Sequence, residues 1–415
     1  MSIKFKVLFL CSFLPIYLFS QSNYAKKVID TLCSAYFFGR NIEKNGELKA
    51  AKFIKQEFLN MGLDTFISKP VMQPFTFSIN SFDGAFSCKT NIRALEPGVD
   101  FIINPASTSK YGSFNLVWYN SNNFPDKKHL NKLVKKRFFN EKIVVLDTSF
   151  TNKYGLELVQ YNYLNAAGYI TFEKKLTASR AQKRADIFHL IFKEGCINQK
   201  HRNINIEIDN KWEKFYSSHN VIAYKKGTQF PDSFYVLSAH YDHIGGLGTK
   251  VYFPGANDNA SGTSMLLDLA QKINNNPLKY SVVFIAFGAE ESGLVGSEYF
   301  VNHPYVDLSK IKFVINLDLT GTGDEGITVV NGSIYKKQFD QIVKINEKHH
   351  YFSKVKKRGE AANSDHYWFY KKGIPSFFIY TMGGSTAYHD VEDTTDKLTF
   401  YGYDNLEKLI LELLE

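Results

Sequence analysis

A chain of 415 residues with 44% hydrophobic and 15% aromatic content can bury a large core, which excludes intrinsically disordered and fibrous classes. Lys and Arg total 50 against 41 Asp and Glu, a net charge of +9. The bases fall in short scattered clusters such as Lys135-Lys136-Arg137, so a solvated surface is expected and nucleic acid is not an expected partner.

In chain order, Lys4 and Lys6 precede an apolar run from Val7 to Phe19, followed by Ser20, Gln21 and Ser22. This is the layout of a signal peptide over residues 1–20, and it predicts an exported protein, periplasmic or secreted. The run is too short for a stable membrane anchor. Leu10 before Cys11 does not suit a lipid-modified cysteine. Without the leader, Cys33, Cys88 and Cys196 remain, enough for at most one disulfide within the chain and too dispersed for a thiolate metal cage.

From Gly46 to Gly62 the residues Leu48, Ala51, Ile54, Phe58 and Met61 recur at three- or four-residue steps, predicting an amphipathic helix that Gly62 ends. Between about Lys69 and Trp212 short β-like runs take over: Phe114 to Tyr119, Lys142 to Asp147, Gly168 to Phe172 and Ile204 to Ile208. From Asn220 onward apolar strands alternate with helical patterns. The expected class is α/β, with a mostly parallel central sheet covered by helices on both faces and a β-rich or mixed inserted domain. Residues 21–70 and 213–415 would form the main domain and residues 71–212 the insert.

Four strands carry chemistry at their ends. Phe234 to Ala239 leads into His240, Tyr241, Asp242 and His243; Ser281 to Phe287 leads to Glu290 and Glu291; Lys312 to Leu317 ends at Asp318; Pro375 to Tyr380 precedes a loop reaching His389. Loops at the carboxyl ends of parallel strands converge on one crevice. Asp258 joins them from the glycine-rich loop Gly255 to Gly262. Taken singly, Asp258 suits a helix cap, Asp318 a turn and the Glu290-Glu291 pair a solvated face. Together, His240, Asp258, Glu291, Asp318 and His389 supply two terminal ligands to each of two zinc ions and one shared carboxylate. His243 is a rival for His240. Glu290, left unligated, suits a general base acting on water. Asp242 suits an acceptor for the second ring N–H of His240, and Tyr388 a donor to a developing oxyanion. Asp365, in Ser364-Asp365-His366, is a candidate for shaping the substrate pocket.

The strings Ser238-Ala239-His240-Tyr241-Asp242, Gly255 to Gly262, Phe287 to Ser297, Asn316-Leu317-Asp318 and Tyr388-His389 resemble metallopeptidase family twenty-eight. That family comprises secreted zinc aminopeptidases together with glutamate carboxypeptidases. The resemblance runs from about Asn220 to the C-terminus, and Leu32 to Leu63, through Gly39-Arg40, is similar to the family's N-terminal helix. It implies that His240 and Asp318 hold one zinc and Glu291 and His389 the other, with Asp258 bridging, Glu290 as base and Tyr388 stabilising the tetrahedral intermediate. It further implies peptide substrates. Leu164 to Ile170 is similar to a protease-associated insert. The alternatives are a glutaminyl-peptide cyclotransferase using one zinc, or a metal-free binding domain. The composition leaves oligomeric state and substrate side chain open.

Overall fold

The computed structural model describes residues 21–415. The expected export signal, residues 1–20, lies outside them.

Eight strands form the sheet that carries the site: Met72–Ser81 (β1), Lys211–Lys225 (β2), Phe230–His240 (β3), Tyr280–Phe287 (β4), Ile311–Leu317 (β5), Gly326–Val330 (β6), Val355–Lys357 (β7) and Ser376–Met382 (β8). Their spatial order is β1-β2-β4-β3-β5-β8-β6-β7. At the centre β4, β3, β5 and β8 run parallel. The sheet turns antiparallel where β1 and β2 extend it beyond β4 and where β6 meets β8.

Strand periodicity explains why helices cover both faces. Successive side chains point to opposite sides of a strand, so one fully apolar strand feeds two cores. On β4, Val282, Phe284 and Ala286 join the core built with Gln21–Leu32, Gly46–Asn60, Gly262–Asn275, Lys336–His349 and Tyr403–Leu414, while Val283, Ile285 and Phe287 face Val295–Asn302 and His366–Lys371. The helix read from Gly46 to Gly62 runs over Gly46–Asn60 and buries Ala50, Ala51, Ile54 and Phe58. Gly62 follows at φ +75°, and its N–H reaches Leu59 O at 3.0 Å, closing the last turn.

A second eight-stranded sheet lies between β1 and β2 in the chain. Its strands include Phe86–Thr90, Phe101–Ile103, Lys110–Tyr119, Lys142–Leu146, Gly168–Glu173, His189–Lys193 and Asn203–Ile208. It is mixed, parallel from Lys110–Tyr119 through to His189–Lys193 and antiparallel elsewhere. Phe101, Ile143, Ile170, Leu190, Ile204 and Ile206 give it its own core. Residues 71–212 were expected to form this unit, yet Met72–Ser81 pairs with β2 in the main sheet. Phe75, Phe77 and Ile79 pack there with Ala289. Alternation identifies a strand but not the sheet it joins. The insert core also takes in Ile244, Leu247 and Phe253, and so docks on the loop that follows His243.

Candidate metal centre

The parallel strands deliver the site at their carboxyl ends. β3 ends on His240, β5 is followed by Asp318, β4 by Glu290 and Glu291, and β8 by the loop to His389. Asp258 arrives from the turn that enters Gly262–Asn275. His240, Asp258 and Asp318 are buried, at 1, 3 and 5% exposure. Three non-glycine residues bordering the site hold left-handed backbone, Ala289, Leu319 and His389 at φ 57, 56 and 53°. Such conformations cost on the order of 1 kcal/mol or more each and concentrate at functional sites. Gly255, at φ +61°, has no room for a side chain, since a Cβ there would strike Asp258 O and the His243 ring.

Asp258 divides its two oxygens. Oδ1 lies 3.4 Å from His240 Nε2, which is also 3.4 Å from Asp318 Oδ1. Oδ2 lies 2.9 Å from His389 Nε2, which is 3.2 Å from Glu291 Oε1. Two ligands about 2.1 Å from a tetrahedral zinc ion sit about 3.4 Å apart. The His240 separations match this spacing and the His389 ones are somewhat shorter, so both groups suit a metal ion, with Asp258 placed between them. Asp318 Oδ1 is buried with no hydrogen-bond partner, as expected of an atom reserved for an ion.

His243 is no substitute for His240. Its Nδ1 meets Glu291 Oε1 at 2.9 Å, and it joins Asp258, Glu291 and His389 in one potential ligand group, while His240, Asp258 and Asp318 form the other. Asp242 departs from its expected contact. His240 Nδ1 lies 3.2 Å from the Asp242 backbone carbonyl but 3.7 Å from its carboxylate. The carboxylate instead accepts the backbone N–H of Glu290 at 3.0 Å and of Glu291 at 3.2 Å, fixing the turn that presents both glutamates.

The other supports carry little sequence signal. Ser364 Oγ donates to Asp318 Oδ2 at 2.9 Å and accepts from Asn316 Nδ2 at 2.8 Å. Asp365 is fully buried and does not line the cavity, where Asn363 stands instead. Asp393, four residues past His389, accepts the backbone N–H groups of Asn257 and Asp258 at 2.9 and 3.1 Å. Arg40 is fully buried and donates to the carbonyls of Leu32, Tyr241, Pro254, Gly255 and Asp258, tying the N-terminal segment to the loop that carries Asp258. From the insert, Ala178 O lies 2.9 Å from His389 Nδ1, which leaves Nε2 for a metal, and Ala178 N–H donates to His389 O.

The electrostatics follow from burial and crowding. Burial lifts the Glu290 carboxyl well above its usual range, and Glu291, Asp365 and Asp318 add to this against the pull of His240. Asp258 goes the other way: burial opposes ionisation, but bonds from His240 and His389 hold it well below the carboxylate range. Burial likewise disfavours the His389 cation, yet Glu291 and Asp258 raise it to about 11. Tyr388 stacks on the His389 ring at 3.9 Å and 13°. A cavity of about 220 Å³ opens here, walled by His240, Asp258, Glu290, Asp318, Tyr388 and His389 on the metal side.

The family model described as peptidase family M28 matches residues 220–414. Aminopeptidase YwaD of Bacillus subtilis is 34% identical over 195 residues, 44% of this chain and 41% of that protein. The match thus spans less than half of that relative's length. BSAP, a zinc aminopeptidase from Bacillus subtilis, superposes with a TM-score of 0.71 at 21% identity over 94% of each chain. A peptidase M28 precursor from Shewanella amazonensis gives 0.69 at 15% identity, covering 95% of this chain and 93% of that one. These structural likenesses establish an α/β fold shared with zinc aminopeptidases across both the main sheet and the insert. Residues 220–414, a little under half of the chain, thus match the model of peptidase family M28.

Proposed function

We propose that the protein is an exported zinc-dependent exopeptidase, an aminopeptidase that hydrolyses the first peptide bond of its substrates. The single observation behind this reading is the split of Asp258 between two histidine–carboxylate pairs. In it, His240 and Asp318 would hold one zinc ion and Glu291 and His389 the other, with Asp258 available to both. Bound zinc would supply Lewis-acid polarisation of the scissile carbonyl and acidify the attacking water.

The chain's own groups do the rest. Glu290 lines the cavity without belonging to either ligand group, and it takes the proton of the attacking water and returns it to the leaving nitrogen. Its buried setting suits that task, because a carboxyl with a raised proton affinity is a stronger base than an exposed one. Asp242 holds the Glu290 and Glu291 amides, so base and ligand move as one unit. Tyr388 stands at the cavity wall to donate its hydroxyl to the oxygen that gains charge. Export rests on the residue pattern over residues 1–20, and no helix among the described residues is long and apolar enough to cross a membrane.

The test is Glu290→Gln. It should keep its zinc and lose nearly all turnover of unblocked peptides, and substantial turnover with zinc bound would refute the assignment. Wild-type cleavage of N-blocked peptides would argue against an aminopeptidase.

A further inference from the structure

The cavity beside the metal centre contains one positive side chain that the proposed chemistry does not use. Of the residues lining it, Arg358 is the only lysine or arginine. It follows β7 directly, and its backbone is pinned: its N–H donates to Val329 O at 2.8 Å, and its carbonyl accepts from Ser333 N at 3.1 Å and Ser333 Oγ at 3.2 Å. The guanidinium donates one Nη1 bond to the Tyr380 hydroxyl, at 3.1 Å. Among the described residues no carboxylate lies within ion-pairing distance of it. The acidic residue nearest in sequence, Glu360, is taken by the Tyr370 hydroxyl at 3.0 Å.

An arginine offers five donors in a planar fork matched to a carboxylate, and a fork held in a cavity with most donors free is a recognition element waiting for an anion. The carboxylates in the same wall, Asp258, Glu290 and Asp318, lie at the metal end. Of the other lining residues, Tyr380, Asn363, Leu319 and Phe378 bring polar groups and apolar surface but no negative charge, and Tyr380 is the one bonded to Arg358. We propose that Arg358 receives a carboxylate of the substrate, so that the enzyme prefers peptides with a negative charge one residue from the scissile bond. That charge is either the side chain of an N-terminal Glu or Asp or the free α-carboxylate of a dipeptide. The inference rests on the peptidase reading above and names its substrate class.

The test compares isosteric substrates on the zinc-loaded protein: Glu- against Gln-coumarylamide, and a dipeptide against its C-terminal amide. Loss of a hydrogen bond to a charged group corresponds to about tenfold or more, and the exposure of Arg358 favours the lower end. At least one pair should favour the acid by about tenfold, chiefly in KM, and which pair does so identifies the source of the charge. Arg358→Gln should bring that ratio near unity, while Arg358→Lys should retain part of it. Hydrolysis without preference for either acid, or a preference that survives Arg358→Gln, overturns this inference and leaves the peptidase reading standing. Failure to hydrolyse any of the four overturns both.

Discussion

Asp242 gives the sharpest check on how the site is held. Its carboxylate touches no substrate, yet it accepts the N–H groups of both Glu290 and Glu291. Asp242→Asn keeps the shape, exchanges one acceptor oxygen for an NH2 group facing a backbone N–H, and removes the buried charge. Hydrogen bonds to a charged group contribute about 1.5–3 kcal/mol, and the lost bond falls on the turn that presents the proposed base Glu290 and the proposed ligand Glu291. Supports of this kind cost 10–100-fold in metal affinity or activity when removed. At about 1.4 kcal/mol per factor of ten, kcat/KM should fall by roughly 10–100-fold, and zinc affinity should fall with it because Glu291 shares the turn. Steady-state kinetics at saturating zinc, paired with a chelator competition titration, separates the two effects. Both quantities within twofold of wild type would show that Asp242 does not hold the glutamates.

Two further outcomes follow from buried polar groups remote from substrate. Arg40→Met retains the aliphatic bulk but removes donors from five carbonyls, of which Gly255 O keeps the Ala260 N–H. Breaking such a network should cost about 3–5 kcal/mol in denaturant unfolding, and a loss under about 1 kcal/mol would contradict it. In the insert, burial depresses His189 from its ordinary 6.5 to about 4, with Thr171 Oγ1 at 2.8 Å. Between those values the unfolded chain binds the extra proton, so stability declines as pH falls from about 6.5 to about 4 and this decline then stops. The full difference is about 3 kcal/mol. His189→Gln should flatten that part of the pH–stability curve, and an unaltered slope would refute the origin.

The residues proposed to bear chemistry were legible because strand ends are. β3, β4, β5 and β8 read as apolar runs that stop at His240, short of Glu290, at Asp318 and ahead of His389, and chain order alone aims them at one crevice. Contacts between elements distant in sequence were not legible. Nothing local marks Ser364 as the partner of Asp318, Asp393 as the anchor of the Asp258 loop, or a backbone carbonyl at Ala178 as the acceptor for His389. His243 looked like a competitor for His240 because two histidines three apart share a motif, and only the fold sends them to opposite ends of Asp258. The strands β6 and β7 at one end of the sheet, five and three residues long, leave too short a pattern to register. β1 alternates clearly but carries no mark of which sheet it completes.

The proposed function stands on one carboxylate, Asp258, serving two metal sites. Stripping the protein with a chelator and titrating zinc back, with bound metal read by elemental analysis, tests it most directly. The expected outcome is saturation at two zinc ions per chain, with Asp258→Asn weakening both. Saturation of the wild type at one ion, or two ions bound undiminished by Asp258→Asn, would contradict it.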